Sequence, residues 1–183
     1  MRVVLYDSRE RSPVGLSWAA GARMMCTLGV VDVVIPCTSW TQALTTVAGL
    51  RGVEQVQFWG HGSPGGVYIN GDKLTADDID QRVRDACQAL RPTGLWWFRT
   101  CATFAGAPGQ GFAAKWAAIS HRRVAASTFN IGFPWHSGVH SVVPGQSPAW
   151  STSEGIMDGR VQWSSARAPH TVTTWSMSIP EDW

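Results

Sequence analysis

The stretch at residues 53–62 constrains the fold more than any other, because an apolar-rich run stops abruptly at Gly-His-Gly. Such a run, followed by a glycine-rich turn, predicts a buried β-strand that delivers His61 into a loop. Residues 95–101 repeat the pattern and end at Cys101. Open α/β sheets bind their ligands just beyond the carboxyl ends of their strands. The two runs therefore predict that His61 and Cys101 lie across a cleft at one edge of a sheet.

Strand and helix patterns alternate through the first two thirds of the chain. Apolar runs predict strands at residues 2–6, 31–37, 53–59, 95–101 and 123–127, and helical periods predict helices at 16–28, 40–50, 76–90 and 110–120. Asn70-Gly71 indicates a hairpin between residues 66–69 and 73–74. The alternation implies an α/β fold, a three-layer, flavodoxin-like arrangement of a mostly parallel sheet with helices on both faces.

The helix patterns also make residue-level predictions. Ser39 and Thr75 are the predicted N-caps of the helices at 40–50 and 76–90. In the helix at 16–28, one apolar stripe is predicted to face the core, namely Leu16, Ala19, Ala20, Met24 and Leu28.

The last third of the chain has a different character, since Gly, Pro, Ser and Thr dominate from residue 129 onward. Residues 160–166 and 171–179 alternate polar and apolar side chains, which predicts an antiparallel pair at a sheet edge. With no recognisable linker, we expect a single domain over 1–183, with an α/β core at 1–132 and a β-rich tail at 133–183 that wraps the core. Residues 135–150 are predicted to supply one wall of the cleft.

Composition narrows the possible partners. A formal net charge of +2, with 15% charged residues, gives no basic field for nucleic acid. No apolar run approaches the ~18 residues that a membrane span needs, and the first residues turn polar too early for a signal peptide. We therefore expect a soluble, cytoplasmic protein that binds neither nucleic acid nor membrane.

The cysteines and histidines do not suggest a metal or a disulfide framework. Four cysteines are too few for a disulfide scaffold in a chain of 183 residues, and Cys26, Cys37 and Cys87 are expected to be reduced and buried. No histidine pair has metal-ligand spacing with a cysteine. The loop at residues 60–63 lacks the Gly-Lys-Ser/Thr ending of a phosphate loop, which argues against a flavodoxin-like nucleotide binder. No cofactor is expected.

Several short motifs, in this order, resemble those of the caspase-like (clan CD) cysteine peptidases: residues 58–62, 65–66, 97–101, 106, 109–112 and 124–128. Within that clan the chain is most similar to bacterial gingipain-like, CHAT-like and DUF4347-type domains. The resemblance covers about residues 2–132 and implies a caspase-like fold. The tail is outside it.

The resemblance implies a catalytic dyad of Cys101 and His61. Chemistry gives this a reason, because a thiolate at the tip of a strand needs an imidazole within reach to protonate the leaving amine. Backbone N–H groups near Gly62 and Cys101 are the candidates to bind the developing oxyanion. The family has no obligatory third side chain. Asp7, at the end of the first strand, is a candidate to orient His61 and is otherwise a loop or N-cap residue.

Arg99 is the candidate for substrate specificity. Side chains alternate along a strand, so Arg99 points to the same side as Cys101. In the resembled clan this position often lines the primary specificity pocket, and an arginine there implies cleavage after Asp or, less favourably, Glu. The alternative is an internal ion pair with Asp7 or Glu54. Further candidates for the substrate pocket are Asp7, Arg9, Arg11 and Ser127.

Two functions from different classes follow. The first is a cysteine endopeptidase that acts on a protein or peptide substrate in bacterial signalling, defence or self-processing. The second is a catalytically inactive caspase-like module that binds peptides or protein partners through a Trp-rich groove, since the chain has 11 tryptophans.

Overall fold

The computed structural model describes residues 1–183, which form a mixed α/β fold around a six-stranded sheet. In chain order the elements are β1 (Arg2–Asp7), α1 (Pro13–Thr27), β2 (Val33–Cys37), α2 (Trp40–Ala48), β3 (Val53–Trp59), β4 (Gly62–Ser63), β5 (Gly66–Ile69), β6 (Asp72–Thr75), a 3-10 helix (Ala76–Asp78), α3 (Gln81–Gln88), β7 (Leu90–Arg99), α4 (Gly106–Ser120), β8 (Arg123–Ser127), β9 (Trp135–His136), β10 (Val139–Val142), β11 (Ile156–Met157), β12 (Arg160–Val161) and β13 (Val172–Thr173).

The central sheet has the strand order β10-β8-β7-β3-β1-β2. All neighbours are parallel except β10, which runs antiparallel to β8. The predicted mostly parallel sheet is therefore confirmed, and β10 adds a strand from the tail that the sequence did not suggest. In the register of β3 with β7, Trp59 pairs with Arg99, so the carboxyl ends of these two strands lie side by side.

The two faces of the sheet are covered differently. Along β1, Val3 and Leu5 belong to the large core beneath α2, α3 and α4, whereas Val4 and Tyr6 face α1. Aromatic rings fill the large core, where Phe98 lies 4.7 Å from Trp116 and 5.4 Å from Phe112 between ring centroids. This packing holds the strand ends on a rigid base.

The predicted caps are used, but the third helix is shorter than expected. Ser39 accepts a hydrogen bond from the backbone of α2, as predicted. Thr75 instead caps the 3-10 helix, because the Asp78 carboxylate accepts hydrogen bonds from both the Thr75 backbone and its hydroxyl. Asp80 then caps α3 separately. Two capping residues so close together break the predicted helix at 76–90 into two pieces.

The predicted inward stripe of α1 is wrong. Its buried residues are Gly15, Ala22 and Met25, whereas Leu16 is 59% exposed and Leu28 is 68% exposed. A Cβ built at Gly21 would lie 3.0 Å from the Trp59 ring, so small residues bring the helix close to the sheet. Only some of the apolar residues of α1 therefore pack in the core.

The tail pairs its short strands in a way that the sequence reading missed. The predicted pairing of residues 160–166 with 171–179 is wrong, since β12 pairs with β11 and β13 pairs with β9. The reason is a tight turn at Asp158-Gly159, where both residues have positive φ, 50° and 72°. Asp-Gly with this geometry is a strong hairpin signal that joins β11 directly to β12.

On the face of the sheet that α1 covers only in part, the tail covers the rest. Val172 and Ile179 pack against Trp97 of β7 in a small separate core. Gln55 of β3 donates a side-chain hydrogen bond to the Met177 carbonyl at 3.2 Å. A cavity remains between α1 and the tail near the carboxyl ends of β3 and β7. No helix in the structure combines the length and apolar character that a bilayer crossing requires.

Candidate functional site

A cavity of about 620 Å³ occupies the gap between α1 and the tail, at the carboxyl ends of β3 and β7. Three groups of side chains line it: Val14, Ser17 and Trp18 from α1, then Trp59, His61, Arg99 and Cys101 from the strand ends, and Phe133, His136, Trp163 and Trp175 from the tail. The volume suits a peptide side chain with its neighbours or a small ligand.

His61 and Cys101 reach this cavity because their loops touch. A Cβ built at Gly62 would lie 2.5 Å from the Cys101 carbonyl oxygen and 2.8 Å from Thr100 Cβ. Only glycine permits this approach without displacing the backbone. The structure thus brings the two sequence-predicted residues to one cavity, although no hydrogen bond joins Cys101 Sγ to the His61 ring.

Cys101 is a half-buried thiol on a strained turn. Its Sγ lies 3.9 Å from the Ile131 carbonyl oxygen, and burial raises the pKa of the thiol above its usual value. The next residue, Ala102, has φ = 50° although it carries a Cβ, and its N–H donates to the Phe129 carbonyl at 2.8 Å. No protein acceptor is found for the Cys101 N–H.

Glu10 is the partner of His61 that sequence reasoning missed. Glu10 Oε2 lies 3.0 Å from His61 Nε2, and Oε1 accepts a hydrogen bond from the Ser12 backbone at 2.8 Å. The Ser12 N–H, followed by His61, holds the pKa of Glu10 below its usual value. The Trp18 ring and the imidazole meet edge to face, with centroids 5.1 Å apart. The available signal was a carboxylate in the loop after β1, next to the strand that carries His61.

Asp7, the candidate orienting residue, has another role. Its carboxylate accepts hydrogen bonds from the backbones of Arg9 and Asn70, both at 2.9 Å, and so ties the loop after β1 to the β5–β6 hairpin. Asp7 and Arg9 line a smaller depression of about 460 Å³ that borders His61 on its other side. The suggestion that Asp7 orients His61 is therefore wrong.

Arg99 forms the floor of the cavity, as predicted from its position two residues before Cys101, and it is only 3% exposed. Its guanidinium stacks between Trp97 and Trp59, 4.5 and 5.4 Å from the ring centroids. The alternative of an ion pair is wrong, because Asp7 is bonded elsewhere and Glu54 pairs with Arg91 at 2.8 Å. Burial without a carboxylate partner lowers the pKa of Arg99 to about 9.

The hydrogen bonds of Arg99 fasten the tail to the sheet. One terminal nitrogen donates to Gln57 Oε1 at 3.1 Å and to the Ser176 carbonyl at 3.2 Å. The other donates to the Thr174 carbonyl at 2.6 Å and the Thr173 carbonyl at 3.4 Å. Only Nε–H has no partner. Arg99 therefore builds the cavity wall and leaves one donor unused.

His136 and Ser127 differ in their relation to the cavity. His136 lines it, and burial, reinforced by the charge of Arg99, holds the pKa of this histidine well below its usual value. Its imidazole is neutral at pH 7. Ser127 does not line the cavity. Its hydroxyl is hydrogen-bonded to the Phe129 carbonyl at 3.1 Å and to the Ser137 carbonyl.

The tail supplies one wall, but not mainly through the predicted residues 135–150. Within that range only His136 lines the cavity, and the larger contribution comes from Phe133, Trp163 and Trp175. Trp150 stacks on Phe104 with centroids 5.1 Å apart, away from the cavity.

Fold and site together define an α/β domain that presents a cysteine and a histidine at neighbouring strand ends. Residues 30–138, more than half of the chain, match the sequence model described as "Domain of unknown function (DUF4347)", and the chain belongs to this family. The matched range contains His61, Arg99 and Cys101 but neither Glu10 nor Trp163. No curated protein matches the chain.

The four cysteines are expected to react with iodoacetamide in a fixed order. Cys26 is exposed, contrary to the sequence-based expectation, and reacts first; Cys101 follows, and its rate climbs with pH because only the thiolate attacks. Cys37 and Cys87 stay unmodified, since burial raises the pKa of each to about 12. Peptide mapping by mass spectrometry over a pH series, with Cys26→Ser as control, measures the order. Modification of Cys87 before Cys101 would contradict this account of the site.

Proposed function

We propose that this protein is a cysteine endopeptidase of the caspase-like type, which acts on a protein or peptide substrate in bacterial signalling or defence. The observation that carries the proposal is the shared cavity, which both Cys101 and His61 line at the carboxyl ends of adjacent strands. The contact with Glu10 adds support, since a carboxylate on one imidazole nitrogen fixes the tautomer and stabilises the cationic ring.

The reaction follows from the proton positions. Nε2 of His61 is occupied by Glu10, which leaves Nδ1 as the nitrogen available to take the proton of Cys101 Sγ–H in the proposed reaction. The sulfur attacks the peptide carbonyl carbon, a C–S bond forms, and the carbonyl oxygen becomes an oxyanion. When the intermediate collapses, the C–N bond breaks and the imidazolium gives its proton to the leaving amine. Water then attacks the thioester and gives its proton through His61 to the sulfur, so the acid product and the thiol are released.

The turn after Cys101 suits the oxyanion. The unpartnered Cys101 N–H is a donor of the kind that stabilises such a charge. The left-handed Ala102 directs the chain away immediately after the nucleophile, and Gly62 keeps the His61 loop against the Cys101 loop. In the resting state the thiol is neutral, so substrate binding has to precede or accompany its deprotonation.

Replacement of Cys101 by alanine separates the two function classes. We expect the wild type to cleave a peptide library and to be labelled at Cys101 by a peptide-based electrophile, and Cys101→Ala to lose both. Cys26→Ser is the control and should retain both, because Cys26 is exposed on α1, outside the cavity.

The non-catalytic alternative is favoured by one observation, the absence of a Cys101–His61 hydrogen bond around a neutral thiol. If Cys101→Ala and the wild type bind the same peptides and neither cleaves them, the protein is a peptide-binding module.

Removing the charge of Glu10 should slow turnover without weakening binding. For Glu10→Gln we expect kcat to fall by about tenfold or more and KM to change little, because a neutral amide stabilises imidazolium poorly. The low pKa keeps Glu10 ionised, so the deficit should stay constant from pH 7 to about 5. Glu54→Gln, a carboxylate paired with Arg91 away from the cavity, is the control. Equal kcat in Glu10→Gln and Glu54→Gln would remove Glu10 from the mechanism.

Arg99 supports a preference for an acidic side chain before the scissile bond. Its charge is buried with no carboxylate within ion-pair distance, so a substrate carboxylate would be its first counter-ion. Nε–H is the one donor without a partner, since the other donors hold the tail, and it is buried, so a carboxylate reaches it only when the side chains that cover it move aside. The bidentate pairing expected from the sequence is therefore replaced by one hydrogen bond and the uncompensated charge.

The charge of Arg99 can be tested by comparing matched substrates. The wild type is expected to favour an Asp peptide over its Asn analogue by about tenfold in kcat/KM. Arg99→Met removes the charge and should abolish this ratio, whereas Arg91→Met, which removes a cation paired with Glu54 away from the cavity, should keep it. Arg99→Met also loses the tethers of the tail, so the Asp-to-Asn ratio, and not the total activity, isolates the charge from the structural role. A wild type that prefers Lys or Arg would refute the assignment.

A further inference from the structure

We infer that the rim of the cavity is a second substrate subsite, which takes a large apolar or aromatic residue next to the acidic one. The inference rests on the proposed function and names its substrate class, an extended peptide segment that combines a carboxylate with a bulky apolar neighbour. Three aromatic side chains of the tail form this rim: Phe133, Trp163 and Trp175.

The rim side chains are exposed far beyond what packing requires. Phe133 is 79% exposed and Trp163 is 69% exposed, although the same chain buries Trp96 and Trp116 completely. Exposed aromatic groups that gather around one cavity mark a binding surface, because their apolar area is removed from water only when a ligand covers it.

Trp163 is exposed yet held in place by the backbone on either side. Asn130 accepts a hydrogen bond from the Ser164 N–H at 2.8 Å, and its own N–H donates to the Gln162 carbonyl at 2.8 Å. The loop that carries Asn130 continues to Ile131, whose carbonyl contacts Cys101 Sγ. The backbone that carries the indole is thus fixed relative to the thiol, which lowers the entropy cost of binding a ligand.

Trp175 and Phe133 are anchored in the same manner. The Thr174 N–H donates to the Pro134 carbonyl at 2.9 Å, and the Thr174 carbonyl accepts from Arg99. Between these anchors the Phe133 and Trp175 rings meet edge to face, with centroids 6.5 Å apart. The rim and the cationic floor are therefore parts of one fastened unit.

Charge selects the occupant. Among the titratable residues that line the cavity, Arg99 carries a positive charge and keeps a buried Nε–H without a partner, while His136 is neutral. An apolar rim around a buried positive charge disfavours Lys and Arg and favours an anionic group with an apolar neighbour. A peptide in which Asp stands beside Trp, Phe or Leu has this complementarity.

Peptide binding to the Cys101→Ala protein tests the subsite without any need for turnover. Fluorescein-labelled peptides that contain one Asp, with Trp or Ala at successive positions beside it, are titrated and followed by fluorescence anisotropy. At one position, Trp should bind about tenfold more tightly than Ala. Introducing Trp163→Ala should remove this difference, and Leu28→Ala, which changes an equally exposed apolar residue at the C-cap of α1, outside the cavity, should leave it intact.

The outcomes are distinct. Equal affinity for the Trp and Ala peptides at every position, or equal loss in the Trp163→Ala and Leu28→Ala proteins, overturns the subsite. A dimer that Trp163→Ala converts to a monomer in sedimentation also overturns it, because the rim would then be an interface between copies. If wild type fails to cleave peptides that the Cys101→Ala protein binds through the rim, the proposed peptidase activity fails while the subsite stands. Should Trp163→Ala unfold, Trp175→Ala carries the same expectation.

Discussion

A buried guanidinium without a carboxylate partner holds the two halves of this structure together. Arg99 comes from the central sheet, and the carbonyl groups that solvate it come from residues 173–176. Backbone carbonyls and stacked indoles replace water around the charge, but they do not neutralise it. The tail is therefore fixed by an interaction that also leaves a positive charge beneath the cavity.

The cavity exists because the faces of the sheet are covered unequally. Three helices close one face, whereas the other is shared between α1 and the tail, which leave a cavity between them near the carboxyl ends of β3 and β7. The strand ends that carry His61 and Cys101 open into the space between them. Small residues along α1, such as Gly21 against Trp59, set how closely the helix approaches and hence how wide this space is.

The parts of the fold that obey a short repeat could be predicted from the sequence. The strand at 53–59 and the cap at Ser39 depend on local chemistry, and the structure agrees with them. The strand predicted at 95–101 is present, but it runs from Leu90 to Arg99 and ends two residues before Cys101. The prediction of the inward face of α1 failed because a helix beside a cavity can have apolar residues that do not pack in a core. The prediction of a single helix at 76–90 failed because neighbouring capping residues divide this segment into two helices.

The candidate site shows the same division. His61, Cys101 and Arg99 lie at strand ends, where an alternating pattern and a parallel sheet place them in advance. Glu10 belongs to an irregular loop, and its approach to His61 depends on the entry of α1, which no periodicity encodes. The tail contacts are set by pairing across long stretches of chain, apart from the Asp158-Gly159 turn, which was locally readable.

The tether at Arg99 has a consequence for how the site comes into being. Its bond to Ser176 joins residues 77 positions apart, so this contact is among the slowest kind to form in a folding chain. During synthesis the Cys101 thiol and the His61 imidazole are made before the part of the tail that completes their cavity. A growing chain would thus contain Cys101 and His61 before the cavity wall is assembled, so a ligand could occupy the complete cavity only after the tail has docked.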